Sequence, residues 1–234
     1  MASAAPAPVP DALGALIASL VPSGMPTTPR GRAAAHGRPA ASGRPTAGQA
    51  PAQRSAAVLI AFHGEPDALK LVFVEKTAHL RVHSGQIAFP GGGVEAGDPS
   101  VEATALREAR EEAGIVEGDV TVLGELPSAD TLIVRSGYDV TPVVGWWAPR
   151  RPLTVGDTGE IAAIHDIGVG TLLDGANRLT WVHPNGISGP GFTVGELFIW
   201  GYTAKTLDRL FTLAGWGQPW DAGRRSPIPA RFLG

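Results

Sequence analysis

The chain contains no cysteine. Disulfides, thiol nucleophiles and cysteine-ligated zinc are therefore excluded, and the absence agrees with a reducing cytoplasm, where the protein is expected to work. No apolar run approaches the roughly 18 residues that mark a membrane-spanning helix, so no membrane partner is expected. The run ALGALIASLV (12–21) has no basic stretch ahead of it, and Asp11 and several prolines precede it. It reads as a short amphipathic helix rather than a secretion signal. A broad basic surface is also missing. Residues 1–54 carry five arginines against Asp11, but the remainder has 14 basic and 21 acidic residues. Nucleic acid is not an expected partner, and an anionic ligand would need cations to hold it. No GxxxxGK[ST] stretch occurs, which excludes a P-loop as the phosphate-binding device.

What is present is enough for one domain with a sizeable core: 234 residues, 44% of them hydrophobic. Residues 1–53 are expected to form an N-terminal arm, with a short helix over 11–21 and then an Ala/Pro/Gly/Arg-rich linker. That linker has too little apolar surface to offset the entropy of ordering it. Residues 54–217 read as the folded domain and 218–234 as a tail. Within the domain, SAAVLIAF (55–62), LKLVFVEKT (69–77), SGQIAF (84–89), VTVLGEL (120–126), DVTPVVGWW (139–147), RLTWV (178–182) and ELFIWG (196–201) read as strands. Residues 99–113, 167–173 and 203–216 read as helices. Asp98 is the expected N-cap of the first of these, Pro99 its first residue and Gly114 its stop. Strands and helices mix without regular βαβ alternation, so an α+β or α/β/α arrangement is favoured over a Rossmann sheet. Trp146, Trp147, Trp181 and Trp200 lie on or beside strands and read mainly as packing residues. His165 and His183 have no partner spacing that suggests zinc.

The helix over 99–113 poses the chemical question. Glu108, Glu111 and Glu112 are related as i, i+3 and i+4, which puts all three on one face. Val101, Ala105, Leu106, Ala109 and Ala113 form a packable opposite side. A solvated helix laced with ion pairs from Arg107 and Arg110 would account for the pattern. A hard divalent cation would also resolve the repulsion, with carboxylates and a backbone carbonyl from the preceding PGGG turn as oxygen ligands.

Phe89 to Ile115, FPGGGVEAGDPSVEATALREAREEAGI, resembles the Nudix box of the Nudix hydrolases, G-x5-E-x7-R-E-U-x-E-E-x-G-U. Arg107, Glu108, Ala109, Glu111, Glu112, Gly114 and Ile115 match its second half. The first half departs. Counting from Gly92 puts Asp98 at the glutamate position, with eight rather than seven residues before Arg107; counting from Gly93 restores the spacing but puts Pro99 there. This departure is similar to the variant of the coenzyme A pyrophosphatase branch, as is the TALRE stretch. The upstream signature of that branch, LLTxR-[SA]-x3-R-x3-G-x3-FPGG, corresponds to VFVEKTAHLRVHSGQIAFPGG (72–92). Arg81, Gly85 and FPGG match, and Lys76 stands where the signature has arginine.

The resemblance implies a Nudix-type α/β/α sandwich with a mixed β-sheet. It implies Mg²⁺ or Mn²⁺ held by Glu108 and Glu112, with Glu111 a further ligand or base and the Gly92 carbonyl a backbone ligand. Arg107 would orient the glutamates, and Glu160 is a second candidate base. The implied substrate is a nucleoside diphosphate of the coenzyme A type, held through Arg81, Lys76, His83, Gln86 and Gly91. NADH or ADP-ribose is the alternative substrate, and a non-catalytic binding or regulatory role is the alternative function. A homodimer is the assembly the resemblance implies.

Overall fold

The computed structural model describes residues 8–22, 54–78, 84–127 and 138–233. A turn of 3-10 helix, Asp11–Leu13, leads into α1 (Gly14–Ser19). β1 (Arg54–Glu65) and β2 (Ala68–Lys76) form an antiparallel hairpin around Pro66 and Asp67. Two short strands follow, β3 (Ile87–Ala88) and β4 (Gly91–Gly93), on either side of Phe89 and Pro90. After them come α2 (Val101–Ala113), β5 (Val120–Glu125), β6 (Tyr138–Trp147) and β7 (Ile161–Gly168). The chain then runs through α3 (Val169–Leu173), β8 (Arg178–Val182), β9 (Ser188–Val194), β10 (Leu197–Ile199), α4 (Gly201–Leu213) and β11 (Arg225–Pro227).

The main sheet has seven strands in the order β3-β2-β1-β6-β5, with β4 also on β1 and β7 also on β2. The β1–β6 pair is parallel and the other pairs are antiparallel, so the sheet is mixed. A second, four-stranded sheet runs β10-β9-β8-β11. Side chains alternate between the two faces of a strand. Ala57, Leu59, Ala61, Val72 and Val74 of the main sheet therefore meet Ala105, Leu106, Ala109 and Ala113 of α2. Their neighbours Ile60, Phe62, Leu71 and Phe73 share the other core with Leu207, Leu210 and Phe211 of α4. The architecture is α+β, with the main sheet layered between helices.

Several local details differ from the sequence expectation. α2 begins one residue after Ser100, whose hydroxyl accepts the Ala103 N–H at 3.2 Å; Asp98 is not the cap, because Arg107 occupies its carboxylate. The left-handed stop at Gly114 (φ 70) is as expected, and its N–H bonds to the carbonyls of Ala109 and Arg110. The region expected to be helical over 167–173 begins as the end of β7 and turns helical only at Val169. β9, with two glycines and a proline in seven residues, carried no strand signal. Leu13 and Leu16, expected in an arm, are fully buried in the α4-side core. The segment after Gln218, expected as a tail, adds β11 to the second sheet in parallel with β8, and buries Ile228 and Phe232. Trp146, Trp147 and Trp181 are buried, and Trp181 meets Trp200 edge to face at 5.7 Å.

Candidate active site

The site forms where α2 crosses β4 and the end of β2. The backbone of Gly91–Gly93 pairs with Val58, Ala57 and Ala56 of β1, so it is fixed in the sheet. Gly91 has no room for a side chain, and one at Gly92 would have to push the Glu108 carboxylate aside. A Cβ at Gly91 would fall 2.4 Å from the Ala57 carbonyl oxygen, and one at Gly92 would fall 2.3 Å from Glu108 Oε1. The glycines thus let the acidic face of α2 approach the strand backbone.

Arg107 organises that face. Its Nε and Nη2 donate to the two oxygens of Asp98 at 3.0 Å each, and Nη2 also donates to the Gly93 carbonyl at 3.0 Å. Nη1 donates to Glu108 Oε1 at 2.9 Å and Glu111 Oε2 at 3.2 Å. The planar guanidinium can engage a carboxylate through two parallel N–H groups while reaching other acceptors, which an ammonium cannot do. Hydrogen bonds from Arg107, the Glu95 N–H and the Thr104 hydroxyl hold the Asp98 carboxyl well below the usual carboxylate range, with Asp98 in turn raising Arg107. Asp98 is the anchor that sequence reasoning placed elsewhere. Its position in the resemblance, at the motif glutamate, was the available signal.

Glu112 is the buried member of the trio, 3% exposed. Its Oε2 accepts the Gly91 N–H at 3.0 Å, and its Oε1 accepts from the Lys76 ammonium. Lys76 therefore faces the acidic helix, and Gly91 directs its N–H at Glu112. Lys76 also lies 3.6 Å from Glu160 Oε2. Glu160 immediately precedes β7, and the pairing of Lys76 with Ile161 draws it to the site from 48 residues beyond Glu112. The Gln86 carbonyl accepts the Lys76 N–H at 3.0 Å, which ties the stretch before β3 to the end of β2. A Cβ on Gly85 would come 3.3 Å from the Phe232 ring, so the C-terminal segment also packs beside that stretch. Arg81 and His83 lie outside the described residues.

Among the described residues, no three His, Asp or Glu side chains converge as a metal site. The chain's own cations instead pair with the three glutamates: Arg107 with Glu108 and Glu111, Lys76 with Glu112. The donor set nevertheless fits a divalent cation. Burial pushes both Glu108 and Glu112 above the usual carboxylate range despite Arg107 and Lys76, and a bound cation would favour their ionised forms. The oxygen-only character of the cluster suits Mg²⁺ or Mn²⁺.

Two further pairs lie outside this cluster. His63 Nε2 meets Asp166 Oδ1 at 2.8 Å, and His165 Nε2 meets Glu75 Oε2 at 2.9 Å.

A family model described as the NUDIX domain matches residues 52–163. The chain is similar to the "Uncharacterized Nudix hydrolase NudL" of Escherichia coli O7:K1, 38% identical over 164 residues, which span 67% of this chain and 81% of the relative. The protein of the same name from Salmonella paratyphi B is 37% identical over 165 residues, spanning 68% of this chain and 81% of its own length. Among solved structures, the Nudix hydrolase RenU of M. smegmatis aligns with a TM-score of 0.47 at 18% identity, over 72% of this chain and 90% of that one.

Proposed function

The chain belongs to the Nudix hydrolase family, and from that premise we propose that it hydrolyses the diphosphate bond of coenzyme A or its thioesters. The products would be 3′,5′-ADP and 4′-phosphopantetheine or its acyl form, in a reaction dependent on Mg²⁺ or Mn²⁺. The observation that carries this reading is the acidic face of α2 set against the glycine backbone of β4, with Glu108 and Glu111 held by Arg107 and Glu112 by Lys76 and the Gly91 N–H. We place the reaction in the cytoplasm, in keeping with the cysteine-free sequence, and expect a homodimer from the resemblance. No helix of the described residues is long and apolar enough to cross a membrane.

Glu108 and Glu112 would hold the cation, with Glu111 and the Gly92 carbonyl as further oxygen donors. The bound cation supplies charge neutralisation at phosphoryl oxygens and acidifies a water. Arg107 orients Glu108 and Glu111, and Asp98 fixes Arg107 from behind. Glu111, half exposed on the helix face, would receive the proton of the attacking water, with Glu160 as the alternative. Arg81 and His83 are proposed to bind the substrate phosphates, and Gln86 to add a hydrogen bond.

One observation favours a second substrate class. The Lys76 ammonium is engaged by Glu112 rather than free for the 3′-phosphate that distinguishes coenzyme A. A diphosphate without that group, such as NADH or ADP-ribose, needs one cation fewer.

The test is hydrolysis of coenzyme A, NADH and ADP-ribose in parallel with Mg²⁺ or Mn²⁺, with Glu112→Gln as control. Release of 3′,5′-ADP from coenzyme A, fastest of the three and lost in Glu112→Gln, is the expected result. Faster cleavage of NADH or ADP-ribose would support the second substrate class. No turnover with either metal would make the protein a binding module.

A further inference from the structure

We propose that Lys76 and Glu160 form an exchange pair that controls access of the divalent cation to Glu112. Lys76 neutralises Glu112 while the cation is absent and passes to Glu160 when it binds. The inference rests on the metal-dependent reading above and gives both residues a positioning role there.

The geometry carries it. Both carboxylate oxygens of Glu112 are occupied, one by the Gly91 N–H and one by Lys76. Each oxygen keeps a second lone pair, but a divalent cation on Glu112 would lie beside these donors and repel their positive ends, the full charge of the ammonium most. The Gly91 N–H belongs to β4, whose backbone is locked to β1. The lysine sits on a flexible four-carbon stem and can move without disturbing the sheet. It cannot simply be released, since its side chain is only 15% exposed and a buried ammonium without a partner is strongly unfavourable.

Glu160 is the acceptor within reach. Its Oε2 lies 3.6 Å from the ammonium, its side chain is 55% exposed, and among the described residues Lys76 is its one ion-pair partner. Its backbone is held in place for this role. The Thr77 N–H donates to the Glu160 carbonyl at 2.7 Å, and the Thr77 hydroxyl donates to the Gly159 carbonyl at 3.0 Å. Lys76 thus stands between two carboxylates, tight on the buried one and loose on the exposed one. A divalent cation at Glu112 reverses the preference by repelling the ammonium toward Glu160.

The experiment titrates the metal-free full-length protein with Mn²⁺ at neutral pH, without substrate, and follows free Mn²⁺ by electron paramagnetic resonance. Lys76→Met is expected to bind at least about tenfold tighter, because a competing positive charge is gone. Glu160→Gln is expected to bind roughly three- to tenfold weaker, because the displaced ammonium has lost its charged acceptor. In the Lys76→Met background, Glu160→Gln is expected to change nothing. Equal weakening by Glu160→Gln in both backgrounds would mean that Glu160 meets the cation itself, and would overturn the exchange. So would Lys76→Met binding no tighter than the natural protein. If Lys76→Met fails to fold by circular dichroism, Lys76→Gln carries the same expectations. Failure of the natural protein to bind Mn²⁺ at all would overturn the metal-dependent reading itself, an outcome distinct from the other two.

Discussion

Arg107 has five N–H groups, and the site gives it five acceptors: two oxygens of Asp98, the Gly93 carbonyl, Glu108 and Glu111. Each carboxylate near it responds according to its exposure and partners. Asp98 is held low by Arg107, so its contribution to stability is complete above its unfolded value of 3.8 and is lost only as pH falls below that. Glu108 and Glu112 run the other way, because burial outweighs Arg107 and Lys76. Their folded forms retain protons that the unfolded chain has released above 4.5, so the metal-free protein loses stability as pH rises from there through the raised values. A cation that binds the ionised pair should therefore stabilise more at higher pH. We expect the Tm gain from Mn²⁺ to be larger at about pH 8 than at about pH 5, and the stabilisation to reach about 2.7 kcal/mol when the cation is present at about 100 times its Kd. Differential scanning fluorimetry at the two pH values measures this, and an equal gain at both would argue against these glutamates as ligands.

At the scale of elements, α2 and β4 act as one device. The helix supplies the carboxylates, and the strand supplies a surface without side chains on which they lie. The chemical content of α2 was legible from spacing alone, because i, i+3 and i+4 share a face in any helix. Its start was not legible, because Asp98 and Ser100 are both good capping residues, and a tertiary contact, Arg107 with Asp98, decided between them. Gly92→Ala tests the device. The new methyl would meet the Glu108 carboxylate, the far end of a flexible side chain that can swing away, so the fold should survive with a Tm close to that of the natural protein. The displaced carboxylate should weaken Mn²⁺ binding about 10- to 100-fold, the range seen when partners that orient metal ligands are removed. Unaltered binding by calorimetry would show that Glu108 has no part in holding the cation.

At the scale of the whole molecule, the described segments flanking the central domain on both sides join the core. Val21 exchanges backbone hydrogen bonds with Glu125 at 2.9 Å, and Leu13 and Leu16 enter the core that α4 closes. Arg178, 3% exposed, pairs with Asp208 of α4 and stacks between the rings of Phe192 and Trp220, which fastens the C-terminal segment to the second sheet. Leu16→Ala is expected to destabilise the protein by about 2–5 kcal/mol, as for other fully buried leucines. Urea unfolding measures it, and a loss below about 0.5 kcal/mol would mean that α1 does not pack on the core in solution.

The sequence by itself determined the acidic face of α2, the glycine turn before it, the left-handed stop at Gly114 and most of the central strands. These depend on periodicity and backbone conformation, which are local. It did not reveal β9, whose glycines and proline mask it, or β11, whose three residues pair only because β8 offers an edge. The decisive electrostatic contact was equally out of reach. Lys76, Glu112 and Glu160 are far apart along the chain, and what joins them is the antiparallel pairing of β2 with β7 together with the seating of α2 over β4. Sheet pairing and helix seating follow from burying apolar faces against one another across long sequence separations. Only the tertiary structure could therefore decide that Lys76 pairs with the buried glutamate.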